Sequence, residues 1–350
     1  MLKARIKDAD SGIVQSTKAT VGDLVRSYID SLKVDGVDYY SKVEDIWRRH
    51  LSGTFANVKA NYLTTDMLRS YITKRQSEEI VVRSKLKTGE VQESKTGKFP
   101  QPATINRELA AIRAAYFLAR KESKIAAVPS FPMLSEAGNV RKGFLTDEQY
   151  SRLAEQTANE GLWLRGVITL LSTYGWRKGE ALEYLRVNQI DLSAGTIRLL
   201  DSKNGDGRLV VMTDEVKQMI AACIEGKQPN DCVFTRDGEP VGEFRKTWVR
   251  VCVRAGLGEI LEVRGLKHPK YTGLLVHDLR RTGVRNLRRL GVPESVAMKV
   301  SGHRTASMFK RYDITDEADM REVARKLNEK NLDRSNLGRM EQEEKPITVQ

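Results

Sequence analysis

The sequence predicts a mainly α fold with a small antiparallel β-sheet: an all-helical domain followed by an α+β domain. Three observations carry this. At 350 residues the chain is longer than one small hydrophobic core needs and suits two domains. Apolar residues recur at three- and four-residue spacing behind capping residues along most of its length. One stretch, 190–212, changes period. There Ile197 and Leu199, then Leu209, Val210 and Val211, flank Asn204-Gly205 and Asp206-Gly207. Those pairs favour positive φ, and so a tight turn between two short strands.

In chain order, residues 1–17 form a polar lead-in and 18–126 an all-helical domain. A helix starts after Thr20, with Asp23 at the third helical position of a capping box and Leu24, Tyr28 and Ile29 at helical spacing. A second fits Tyr39 to Leu51. A third fits Thr65 to Gln76, with Met67, Leu68, Tyr71 and Ile72 on its buried side. The fourth has Thr104 as its cap and Ile105, Leu109, Ile112 and Tyr116 on one stripe. Between the last two, Ser77 to Pro102 is rich in Lys, Glu, Ser, Thr and Gly. It reads as a charged hairpin around Thr88-Gly89 or as a loop.

Residues 127–142, with Pro129, Pro132 and Gly138 and no period, read as the interdomain linker. The second domain, 143–332, opens with a helix capped by Thr146 and Gln149. An apolar helix follows, Leu162 to Leu171, fit for a core. After the strands, helices resume at Asp214, Phe244 and His277, near Pro293, and from Glu317 to Lys330. Residues 333–350 read as a polar, frayed tail.

Composition narrows the function classes. A formal net charge of +13 suits a polyanionic partner, although basic faces are often only solvated. No run of 18 apolar residues exists, so no membrane span is expected, and Met1 to Asp8 carry no secretory signal. Cys223, Cys232 and Cys252 match no zinc spacing, and an odd count speaks against a disulfide framework. Reduced cysteines in a cytosolic protein are the expectation.

The informative residues are scattered. Arg177 follows Gly175-Trp176, where the glycine permits a sharp turn before a helix; Glu180, three residues on, stands where it can orient Arg177. Lys203 lies at the lip of the Asn-Gly turn. His277 and Arg280 form His-x-x-Arg, on one helical face. Ser301-Gly302-His303 reads as the start of a further turn or helix, and Tyr312 comes nine residues after His303. Phosphodiester chemistry asks for this set. Two arginines clamp the non-bridging oxygens. A tyrosine attacks in line and stores the bond as a phosphotyrosine. Histidine helps a phenol lose its proton, and a lysine protonates the departing 5′ oxygen. No metal or cofactor is needed if cations do the electrostatic work.

Each residue alone has a plainer reading: a helix-start cation, a solvated turn lysine, a core histidine, a packed tyrosine. Trp176 reads as core. Arg280, Arg281, Arg285, Arg288 and Arg289 read as a largely solvated helix face with some phosphate contacts, and His50 and His268 as structural or exposed.

As an ordered set the residues resemble the catalytic signature of the tyrosine recombinases, the phage-integrase family. That signature is Arg, Lys, His-x-x-Arg, His or Trp, and Tyr, and it is matched by Arg177, Lys203, His277, Arg280, His303 and Tyr312, with Glu180 supporting. The 23-residue step from Arg280 to His303 and the nine-residue step to Tyr312 also agree with the family. The helical domain resembles the family's core-binding domain, with Ala103 to Leu109 typical of phage integrases. The resemblance spans about 18–330.

It implies a site-specific recombinase or integrase of a mobile element, acting on double-stranded DNA recombination sites through a covalent 3′-phosphotyrosine. It implies a C-shaped clamp on DNA and a homotetramer on two sites, with Glu317 to Lys330 docking on a neighbour. DNA-bending or directionality accessory proteins are compatible partners. The expected location is cytoplasmic and nucleoid-associated, in a bacterium or encoded by a phage. Phage members carry an arm-binding domain ahead of the core-binding one. About 17 residues stand there in this chain, so arm-site binding is not expected. A type IB topoisomerase-like relaxing enzyme and a catalytically silent DNA-binding regulator remain the alternatives.

Overall fold

The computed structural model describes residues 18–85, 91–136, 138, 141, 143–200, 207–262, 269–312 and 317–343. Two compact units divide the chain, Met1–Asn139 and Val140–Gln350.

The first unit is helical. Thr20 and Asp23 cap α1 (Val21–Val34) reciprocally: the threonine hydroxyl accepts the Asp23 N–H, and the Asp23 carboxylate accepts the Thr20 N–H at 2.8 Å. This satisfies two of the orphan donors at a helix start. Helix α2 (Tyr40–Ile46) runs through a π turn, Trp47–Leu51, into α3 (Ser52–Phe55). The half-buried His50 lies in that π turn. Helix α4 (Thr65–Ser77) is capped by Thr64. Helix α5 (Pro102–Lys121) starts two residues earlier than the Thr104 cap expected from sequence. Pro102, whose fixed φ suits the first helical position, sets the start, and Thr104 sits inside the first turn. The expected stripe is buried: Ile105, Leu109, Ile112 and Tyr116 pack with Leu24, Val25 and Ile29 of α1 and with Leu68, Tyr71 and Ile72 of α4.

Between α4 and α5, β1 (Val81–Lys85) pairs antiparallel with β2 (Val91–Lys95), with Arg83 opposite Glu93. The turn at Thr88-Gly89 lies outside the described residues. The segment after α5, read as linker, is docked on this unit over its first part. Val128, Phe131 and Leu134 pack on the helical core, and the Asn106 side chain exchanges hydrogen bonds with the Leu134 backbone at 2.8 and 2.9 Å.

The second unit is built on α7 (Leu162–Tyr174), which follows α6 (Asp147–Glu155) and its Thr146–Gln149 capping box. Leu164, Val167, Ile168, Leu170 and Leu171 are all buried, so α7 is apolar nearly all round. A three-stranded antiparallel sheet follows: β3 (Ile190–Asp191), β4 (Thr196–Leu199) and β5 (Arg208–Val211), with Ile197 paired to Ile190 on one side and Val210 on the other. Helix α8 (Asp214–Ile224) precedes a two-residue hairpin, β6 (Thr235–Arg236) and β7 (Glu239–Pro240). Helix α9 (Arg245–Arg254) precedes a second hairpin, β8 (Gly258–Leu261) and β9 (Lys270–Gly273). Then come α10 (Val276–Arg289), α11 (Glu294–Ser301), α12 (Ala306–Lys310) and α13 (Glu317–Glu343).

Two expectations are corrected here. Ser301-Gly302-His303 ends a helix instead of beginning one: Ser301 closes α11, Gly302 is its left-handed cap at φ 68°, and the His303 N–H returns to the Met298 carbonyl at 3.0 Å. The tail is helical well past Lys330, since α13 continues to Glu343. Its start is laced by Arg321–Glu317 and by Arg325 with Glu322 and Glu329, ion pairs at the three- and four-residue spacings that support an exposed helix. None of the described helices is long and apolar enough to cross a membrane.

Candidate active site

The chain reverses after α7 at Gly175, whose φ of 66° is left-handed. Gly283 of α10 lies against it: a Cβ on Gly283 would stand 2.4 Å from the Gly175 nitrogen, so α7 and α10 meet backbone to backbone. Trp176 then plugs the core, fully buried, and its Nε1 donates to the Val300 carbonyl at 2.9 Å. This leaves Arg177 at the mouth of the helical turn Glu180–Tyr184.

Glu180 is 1% exposed. Its Oε2 accepts the Arg177 N–H and its Oε1 accepts Arg177 Nη1, both at 2.7 Å. Burial works to raise this carboxyl, but Arg208 and Arg177 outweigh it and hold Glu180 below the usual carboxylate range.

Helix α10 carries the next pair. Its N-cap is Leu275, which has no side-chain acceptor; the Leu275 N–H is satisfied by Asp278 at 2.8 Å. Asp278 is itself fully buried and gripped by Arg141 at 2.8 Å and Arg281 at 2.6 Å. With its start pinned, α10 presents His277 and Arg280. Arg280 is 2% exposed; its Nη1 donates to the carbonyls of Gly175 (2.5 Å) and Ser301 (2.7 Å), and its Nη2 to His303 Nε2 (2.8 Å). Burial and the nearby Arg177 lower its guanidinium to about 10, which leaves it charged at neutral pH.

His303 is tied at both ring nitrogens. A guanidinium only donates, so Nε2 is an acceptor and Nδ1 carries the proton. Nδ1 then donates to Ser301 Oγ at 2.8 Å, and that hydroxyl donates to the Ala297 carbonyl at 2.6 Å. Burial, then Arg280, Arg177 and Arg208, push His303 down to about 3, which keeps it neutral. Phe309 of α12, buried, packs edge-on against the His303 ring at 5.4 Å. The chain leaves α12 at Tyr312, whose hydroxyl lies 2.9 Å from His277 Nε2. The Tyr312 ring is 4.9 Å from the His303 ring, and the guanidinium carbons of Arg280 and Arg281 stand 5.6 and 5.5 Å from it. Burial, then Arg281 and Arg280, hold His277 below the ordinary histidine range.

Arg177, Glu180, His277, Arg280, His303 and Tyr312 therefore gather in one place, from four separate stretches of the second unit. Lys203 lies outside the described residues, as does His268. The basic stretch of α10 differs from the expected solvated face. Arg280 and Arg285 are buried, Arg281 pairs with Asp278, and Arg285 and Arg289 pair with Asp319. An arginine side chain is long enough to cross the interior and find an anion there, so composition could not distinguish the two cases.

Sequence reasoning missed Arg208, Asp278, Arg141 and Ser301. For Asp278 a signal existed, an acid at the third position of a helix start beside His277. Arg208 had none, because its partner Glu180 is 28 residues away.

A fold of this kind, with a tyrosine, two histidines and two arginines converging in a mainly α unit, has known counterparts. The phage integrase family model matches residues 143–318, half the chain, so the chain belongs to that family, the tyrosine recombinases. A tyrosine recombinase of Saccharolobus solfataricus is 32% identical over 33% of this chain and 47% of its own length. A shufflon-specific DNA recombinase of Escherichia coli is 26% identical over 62% of this chain and 52% of its own. The chain thus spans about half the length of these two curated relatives. Among solved structures, the Tn1549 transposon integrase in complex with transposon right end DNA matches 89% of this chain and 100% of that one, with TM-score 0.63 at 15% identity. A lambda integrase tetramer bound to a Holliday junction matches 90% of this chain and 81% of that one, with TM-score 0.58 at 17% identity. At those identities the likeness concerns the fold.

Proposed function

We propose that this protein is a site-specific DNA recombinase that breaks and rejoins strands through a 3′-phosphotyrosine on Tyr312, in the integration or excision of a mobile element. One observation carries the reading: the Tyr312 hydroxyl lies 2.9 Å from Nε2 of His277, a histidine held below its ordinary pKa range, beside the guanidiniums of Arg280 and Arg281. In this mechanism the phenol oxygen attacks the phosphorus and its proton passes to His277 Nε2. The bond to the 5′ oxygen breaks, and Lys203 supplies that oxygen with a proton. Arg177 and Arg280 hold the non-bridging oxygens as charge builds, and His303, locked neutral between Ser301 and Arg280, keeps the Arg280 guanidinium in place. Glu180 orients Arg177. A 5′ hydroxyl from a second duplex reverses the step with exchanged strands. The substrate is double-stranded DNA, the assembly a homotetramer on two sites, and accessory proteins would set direction. The family membership, and the names of relatives that act on or were solved with DNA, support this reading.

The test uses nicked suicide duplexes tiled across the DNA flanking the gene. The parent chain is expected to trap a covalent adduct, with a free 5′ hydroxyl on the released strand. Tyr312→Phe is expected to bind the same duplex within about threefold and trap nothing. An adduct that survives in Tyr312→Phe would end the proposal. A requirement for paired sites separates recombination from simple relaxation.

A further inference from the structure

Resting on the recombinase reading, we propose that Arg208 is a positioning residue for strand cleavage: it holds Glu180, and through it Arg177, in register with the Gly302–His303 turn. Arg208 is the first residue of β5, and its side chain is only 7% exposed. Its Nη2 stands 2.5 Å from Glu180 Oε2. Its guanidinium carbon lies 4.7 Å over the Trp176 ring. Its Nη1 presses on Gly302, where an added Cβ would fall 1.4 Å away. One planar group therefore touches the segment that presents Arg177 and the turn that presents His303. Gly302 is required by its left-handed φ, and a side chain there would displace the Arg208 guanidinium.

The charge count explains why a second arginine is needed. Glu180 is buried and carries one negative charge. With Arg177 alone as partner, that ion pair would spend the Arg177 charge on the carboxylate. Arg208 supplies the compensating cation from the interior, so Arg177, about a third exposed, keeps its charge for an incoming phosphate. Arg208 shares Oε2 with the Arg177 backbone N–H, while Arg177 Nη1 takes Oε1, so the two guanidiniums divide one carboxylate. A lysine could not replace it. An ammonium is a compact point charge, whereas here a planar guanidinium reaches Glu180 with one nitrogen while lying over an indole.

The experiment measures two quantities on the full chain with the suicide duplexes above: adduct rate at saturating DNA, and Kd. Arg208→Met keeps length and packing and removes the charge; Arg208→Lys keeps the charge and removes the planar group. Both are expected to slow adduct formation at least about tenfold while Kd stays within about threefold. Arg208→Met combined with Glu180→Gln is expected to be within about twofold of Glu180→Gln alone, because the two act through one contact. Thermal melting reports folding, and if the Met variant melts early the Lys variant carries the comparison. Parental rates in the Met variant, full rescue by Lys, a Kd that weakens in step with the rate, or multiplying defects in the double variant would each overturn the inference. A parent chain that traps no Tyr312-dependent adduct would remove the recombinase reading itself.

Discussion

His277 and His303 stand on either side of Tyr312, yet their surroundings assign them different protonation tasks. His303 has its acceptor nitrogen filled by Arg280 and its donor nitrogen fixed by Ser301, so it holds a proton in place and does not exchange it. His277 meets the phenol directly and is free to accept. Burial and the arginines lower its pKa, which favours the neutral form. The sign follows: a base works when unprotonated, that is above its pKa, and here the pKa lies below the ordinary ~6.5. Adduct formation is therefore expected to be flat through neutral pH, and its acid limb should fall below about pH 6.5. His277→Gln is expected to lose that limb along with about 100-fold in rate. An acid limb above pH 7, or one that persists in the variant, would contradict the assignment.

At the scale of elements, the helical unit holds a buried charge pair that bears on its stability. Glu108 of α5, 1% exposed, accepts Tyr71 Oη at 2.7 Å and two Arg75 nitrogens at 2.8 and 3.0 Å, both residues belonging to α4. Removing the anion leaves the buried Arg75 guanidinium with only the partly exposed Glu78 carboxylate, 3.1 Å away, a change that costs roughly 3 kcal/mol, the low end for breaking a buried pair. Glu108→Gln is expected to lose about that much, read as faster amide hydrogen exchange in α4 and α5. Unchanged exchange would refute it.

The same helices show what a sequence can and cannot disclose. Stripes such as Ile105, Leu109, Ile112 and Tyr116 follow the helical period and were legible. The hairpins at 235–240 and 258–273 were not: strands of two to four residues offer too few side chains to show alternation. At the site, Arg177, Glu180, His277, Arg280, His303 and Tyr312 were readable because ordered spacing survives in one dimension. Arg208 was not, because its role exists only where β5, Glu180 and Gly302 converge.

For the whole molecule, the net charge of +13 coexists with extensive internal pairing of arginines. Away from the reaction centre, the remaining exposed cations are the ones available to DNA phosphates. If about 6–10 of them do, affinity of Tyr312→Phe for its duplex is expected to fall about 10³- to 10⁵-fold between 50 and 200 mM salt, a log–log slope steeper than about −5. A slope shallower than about −2 would show that few phosphates are neutralised.

The glycines at 175 and 283 carry a longer-term consequence. With peptide planes touching and no side chain between them, nothing in that joint can be swapped for a larger or smaller neighbour. The offset between the two guanidiniums on either side is then inherited from main-chain dimensions. The surrounding hydrophobic residues can drift, repack and be replaced over time while the arginines keep their separation, insulating the reaction centre from the history of its own scaffold.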